Sequence, residues 1–265
     1  MFNDFTIFLW LLKLGALLNL YFLANTYALS SGSTDAHIVI PAQVFFAVSA
    51  YRCLFPAWYK DNIVFHNSPF SSIFLTRLLA TFAEVAFIYQ FSHVIRLLNV
   101  DHVGWVNVLS WLMVGQVVIS QGFVWGAILT GRLALYYYEE LGWAIIFAAN
   151  TIASAYLYAT VDALGGGEFL IQLNLLFGLV YLPWQFNHLR VLRLDARMGG
   201  EAIESGTGVT RTLLAKGLRQ SIHVRNRTTD AEAWGRLVGL TWMASYWATV
   251  IPIWVNHVVG VFSAR

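Results

Sequence analysis

Seven stretches of the chain, 6–29, 37–55, 70–98, 103–130, 140–162, 168–191 and 234–262, are predominantly apolar, and the joins between them are polar. A helix needs roughly 20 such residues to cross the hydrocarbon of a bilayer. The pattern predicts an all-α polytopic integral membrane protein, one seven-helix transmembrane bundle over residues 1–265. The joins carry turn or cap chemistry: SSGSTD after the first stretch, NSP before the third, DALGGGE between the fifth and sixth, TTDAEAW before the seventh. In the last, Thr229 and Glu232 have the spacing of a capping box. The order shows no internal repeat and no low-complexity tract.

The opening stretch, MFNDFTIFLWLLKLGALLNLYFLANTYAL, lacks the basic leading residues and the small-residue cleavage site of a secretory signal. It reads as a retained first helix, with no cleaved signal peptide. Lys and Arg in the joins then set the orientation. With the N-terminus in the cytoplasm, the inner joins hold Arg52, Lys60, Arg132, Arg190, Arg193, Arg197, Arg211, Lys216, Arg219, Arg225, Arg227 and Arg236, and the outer side holds only Arg96 and Arg265. The N-terminus is therefore expected in the cytoplasm and the C-terminus outside, in a bacterial inner membrane or an organelle membrane. The one long join, 191–233, is then a cytoplasmic loop. Within it, Val209, Leu213, Leu214, Leu218 and Ile222 recur at near-helical spacing among basic residues, which predicts a short amphipathic helix on the anionic inner leaflet.

Composition narrows the class further. Hydrophobic residues make up 58% of the chain and charged residues 11%, with a mean hydropathy of +0.62. Soluble domains carry about 25% charged residues. A net charge of +2 gives no reason to expect nucleic acid. The single cysteine, Cys53, can form neither an intramolecular disulfide nor a Cys-based zinc or iron–sulfur site. Seven helices suggest a retinal protein, but the seventh stretch has no lysine for a Schiff base. Lys13, in the first stretch, is placed to snorkel to the headgroups.

A few residues are expensive where they stand. Glu84 falls near the middle of the third stretch, where a charge costs roughly 2.5–3.5 kcal/mol on insertion scales. Arg77, Thr81 and Glu84 share one helical face. Arg77 lies about 10 Å along the axis from Glu84, so contact needs both side chains to bend together or a bridging partner. The functional reading makes Glu84 a proton donor or acceptor, with Arg77 and Asn150 positioning it; the structural reading makes it a helix-packing group. Thr81, Gln121, Ser154, Trp242, Ser245 and Tyr246 are the candidate substrate-pocket residues. Asn150 and Ser154 form one polar stripe, and Thr241, Ser245 and Thr249 another.

In YYYEELGWAIIFAAN, Glu139 and Glu140 stand at the start of the fifth stretch. This double carboxylate resembles the acidic pair of membrane-bound lycopene-cyclase-type terpene cyclases and is similar to the twin glutamates of intramembrane prenyl-protein proteases. Tyr137 and Tyr138 precede it where the cyclases carry proline, and Ala144 stands where the proteases carry arginine. The chain is assigned to neither family. Acids in a first helical turn also suit the helix dipole. Glu139, Glu140, Gln185 and His188 are candidates for a cytoplasmic entrance, beside a kink expected at Pro183. His37, His93 and His257, with Asp35, Asp101, Asp162 and Glu168, collect on the outer side and are a candidate metal set.

Three functions are consistent with these residues. The first is an intramembrane enzyme acting on a lipid or isoprenoid by acid/base chemistry of the cyclase or isomerase type. The second is a non-catalytic lipid-, quinone- or pigment-binding subunit of a larger membrane complex. The third is a transporter or proton-conducting protein. No cofactor is indicated. Membrane lipid and a hydrophobic small molecule are the expected partners, with other membrane subunits or a second copy of the chain as further ones.

Overall fold

The computed structural model describes residues 3–29, 35–161, 167–198 and 209–263. Asp162, Arg265, the joins at 30–34 and 162–166, and the side chain of Arg197 lie outside the described residues. Among the described residues, seven helices are long and apolar enough to cross a membrane. These are α1 (Thr6–Leu29), α2 (Ala36–Leu54), α3 (Ile73–Leu98), α4 (Gly104–Thr130), α5 (Ala134–Thr160), α6 (Glu168–Met198) and a composite seventh. A shorter helix, α7 (Arg211–His223), precedes the seventh, which consists of α8 (Arg236–Trp242), a π-helical segment (Met243–Ala248) and α9 (Val250–Ser263). Their outward faces are apolar, with Leu14, Leu179 and Leu237 well exposed. In water such faces would be large hydrophobic patches; in lipid they carry no cost.

Several boundaries differ from the sequence pattern. α3 begins at Ile73 because Pro69–Ser71 form a 3₁₀ turn ahead of it. α5 begins at Ala134, so Glu139 and Glu140 stand in its second turn and the dipole account of them loses force. α6 runs through Pro183 as far as Met198. The capping box at Thr229 does not form. Instead, Trp234 is fully buried with its indole N–H on the Thr228 carbonyl, and the helix starts after Gly235, whose φ of 76° suits glycine.

The chain divides into two compact units, Met1–Phe87 with Leu218–Arg265, and Ile88–Gly217. In the first unit α1 and α2 pack together and against the seventh span. Gly15 permits this, since a Cβ there would lie 2.6 Å from that of Ala248. Asn19 donates to the carbonyls of Gly15 and Trp247. The Lys13 ammonium donates to the carbonyls of Cys53 and Leu54, the orphan acceptors at the end of α2. A small three-stranded sheet sits at this end: β1 (Ala57–Trp58) antiparallel to β2 (Ile63–Val64), which is parallel to β3 (Asn226–Arg227). Phe5, Leu9, Cys53, Phe65, Trp234 and Trp247 belong to the core beneath it.

In the second unit α5 packs on α4 and on α6. Small residues allow close approach. A Cβ on Gly142 would meet Ser120 Oγ at 1.9 Å, and one on Gly178 would meet Thr151 Oγ1 at 2.1 Å. Gly217 of α7 lies against the end of α4, where a Cβ would meet the Leu129 carbonyl oxygen at 2.0 Å.

Candidate functional site

In the first unit, α2 buries Phe45, Ser49 and Arg52 at helical spacing. Arg52, near the end of that helix, is 7% exposed. On α3, Arg77 and Glu84 are 1% and 5% exposed. Arg77 grips Glu84 with both nitrogens of its fork, Nη1 donating to Oε1 at 3.2 Å and Nη2 to Oε2 at 2.6 Å. Arg52 Nη1 lies 3.6 Å from the same Oε1. The cluster is therefore arginine, glutamate, arginine. With both of its oxygens engaged by guanidinium groups, Glu84 has the bonding of a carboxylate.

Aromatic groups surround the cluster. Tyr59, in the turn after β1, accepts from Arg52 Nη2 at 3.2 Å, and its ring lies 5.4 Å from the Arg77 guanidinium. Trp247 faces the Arg52 guanidinium at 4.2 Å, with Tyr246 at 6.0 Å. Both come from the π-helical segment. Its wider turn breaks the four-residue register, so Thr241, Ser245 and Thr249 do not form the expected single stripe. Behind Tyr246 stand Phe45, Phe87 and Trp242, with Trp254 against Phe87. Such rings attract the arginines by cation–π contact, which is stronger where water is excluded.

The residues singled out from the sequence separate between the units. Arg77, Thr81, Glu84, Trp242, Ser245 and Tyr246 belong to the first; Thr81 donates to the Arg77 carbonyl, and Tyr246 is near the cluster. Asn150, Gln121 and Ser154 belong to the second. There Asn174 donates to Ser154 at 3.4 Å, while both polar atoms of buried Asn150 lack a hydrogen-bond partner. Gln185 donates to the Glu140 carbonyl and carboxylate, each at 2.8 Å, and His188 stacks on Trp184. Glu139 is buried. His37 and His257 belong to the first unit and His93 to the second, where it stacks on Tyr89. Among the described residues no group of three or more His, Cys, Asp or Glu side chains could hold a metal ion.

Arg52, Tyr59 and Trp247 were not recognised from the sequence as site residues. For Arg52 a signal was present: it follows Phe45 and Ser49 on a buried face, although its place beside a join suggested only a cytoplasmic positive charge. Tyr59 depends on a turn between two-residue strands, and Trp247 on a π-helical register, neither of which leaves a periodic trace. Comparison with protein-family models, with curated proteins and with solved structures finds no match.

Proposed function

We propose that this chain is an intramembrane protein that takes a lipid or isoprenoid molecule against the Arg52–Arg77–Glu84 cluster, N-terminus in the cytoplasm. One observation carries the reading: three charged side chains, Arg52, Arg77 and Glu84, are buried together among aromatic rings within spans long and apolar enough to cross a membrane. A buried ion cluster is weak as a stability device, because apolar residues of similar size often do as well or better. Charged groups within membrane spans are by default functional candidates.

Acid/base chemistry on that molecule is the second reading, and the π-helical segment favours it. Such segments occur frequently at functional sites, and this one presents Tyr246 and Trp247 to the cluster. Arg77 holds both Glu84 oxygens, which fixes the orientation of the carboxyl group beside Tyr246 and Trp247.

Mass spectrometry of lipids retained by the gently purified chain tests the first reading. Wild type should retain a defined amphiphile, and Glu84→Gln should lose it. Identical retention of bulk lipid by both would contradict the reading.

A further inference from the structure

In the first unit, the join between α2 and α3 gathers basic side chains at the edge of the spans. The Lys13 ammonium donates to the carbonyl of Cys53 at 3.0 Å and to that of Leu54, so it sits at the end of α2 and keeps a third N–H to offer. It also lies 5.6 Å from the centre of the Phe65 ring. The next residue, His66, is partly exposed, with its ring 4.4 Å from that of Phe65. Burial, with Lys13 and Arg227 nearby, holds the His66 imidazole below the ordinary 6.5, so at neutral pH it is uncharged and offers one N–H. Arg227, on the neighbouring strand β3, is exposed. Arg225 brings a further cation to the residue after His66, its Nε donating to Asn67 Oδ1 at 3.2 Å. Among the described residues no carboxylate pairs with Lys13, His66, Arg225 or Arg227, and no hydrogen bond occupies the His66 ring or the Arg227 guanidinium.

Beside these donors the surface is apolar. The Trp10 ring meets His66 edge to face at 5.9 Å, and Phe55, 6.3 Å from His66 on another side, leads to Phe70 at 5.5 Å. Trp10 and Phe70 are well exposed, as are Ile7 and Leu14, which share the Trp10 face of α1. Exposed aromatic rings and long basic side chains at the end of a span mark the level of the lipid headgroups. A phosphodiester presents its negative charge on two oxygens, which suit ammonium, guanidinium and imidazole N–H donors together. A soluble anion could use the donors; a phospholipid uses the donors and the apolar face.

We propose that Lys13, His66 and Arg227 bind the phosphate of an anionic phospholipid of the surrounding bilayer, whose acyl chains lie along the exposed face of α1 at Trp10 and Leu14. The site uses none of the Arg52–Arg77–Glu84 side chains, so it stands independently of the reading of that cluster.

The full chain, delipidated in detergent, is titrated with phosphatidylglycerol, phosphatidylcholine and inorganic phosphate, and bound lipid is counted by native mass spectrometry. Phosphatidylglycerol should saturate one site at least about tenfold more tightly than phosphatidylcholine, the scale of a charge-assisted hydrogen bond. Inorganic phosphate should displace it only weakly. Arg227→Gln should weaken phosphatidylglycerol binding about tenfold, and His66→Phe, which keeps a ring against Trp10 and removes the N–H, about threefold. Lys60→Gln, which removes one exposed charge from the turn between β1 and β2, should leave binding unchanged. Equal affinity for the two lipids, or the same loss in Arg227→Gln as in Lys60→Gln, would overturn the site in favour of diffuse attraction. Displacement by inorganic phosphate at the concentration of phosphatidylglycerol that saturates would overturn the lipid in favour of a soluble anion. If Arg227→Gln does not fold, the wild-type lipid comparison and His66→Phe still decide.

Discussion

Arg77 and Glu84, seven residues apart on one helix, meet as a two-point ion pair, with Nη2 2.6 Å from Oε2 and Nη1 3.2 Å from Oε1. The axial distance of about 10 Å is covered because the two long side chains reach toward each other across two turns. Arg52, from α2, approaches the same carboxylate. One acid therefore serves two bases, and the three substitutions that break the cluster should not cost the same.

Removing Glu84 leaves two buried cations together, whereas removing Arg77 leaves Arg52 and Glu84 as a neutral pair. Breaking a buried pair typically costs about 3–5 kcal/mol. Glu84→Gln should fall in that range and Arg77→Gln clearly below it, measured by thermal or denaturant unfolding in a fixed detergent. Equal losses would indicate that Arg52 does not share the carboxylate.

Asn19 bridges α1 to the π-helical segment through the Trp247 carbonyl. Asn19→Leu should destabilise by about 1–3 kcal/mol, since it leaves a buried carbonyl without its donor. It should also shift the emission of Trp247, compared in a Trp247→Phe background. An unchanged midpoint and spectrum would show that the segment holds its shape without Asn19.

Gly217 fits α7 against the end of α4. Gly217→Leu would press a side chain onto the Leu129 carbonyl, which cannot move aside as a flexible side-chain tip could. The loss should exceed the 1–3 kcal/mol typical of overpacking, and α7 should become open to limited proteolysis. Protection equal to wild type would contradict the packing.

Acid should weaken the first unit through His66, which lies outside the spans. Burial, with Lys13 and Arg227 nearby, holds its folded pKa below the ordinary 6.5. Just below that value the unfolded chain binds more protons than the folded one, so stability falls as pH drops through this window. His66→Gln should flatten the decline of the thermal midpoint between about pH 7 and pH 5. An unchanged slope would assign the decline to other groups.

Much of this architecture was readable from residue order. The seven spans follow from apolar length alone, and Arg77 with Glu84 could be identified as costly because hydrocarbon solvates charge poorly. Their pairing was not readable, since spacing gives the axial distance and not the reach of two flexible side chains. Lys13 illustrates the same gap: snorkelling and capping α2 look alike until the fold brings Cys53 and Leu54 beside it. Thr229 and Glu232 had the spacing of a cap, but the burial of Trp234 sets where that helix begins.

A density map of the full chain purified in native lipid tests the central claim most directly. It should show Arg52 and Arg77 around Glu84, with an elongated ligand against the cluster. Arginines splayed apart into water, or a tightly closed cluster with no ligand in a sample that retains its native lipid, would contradict it.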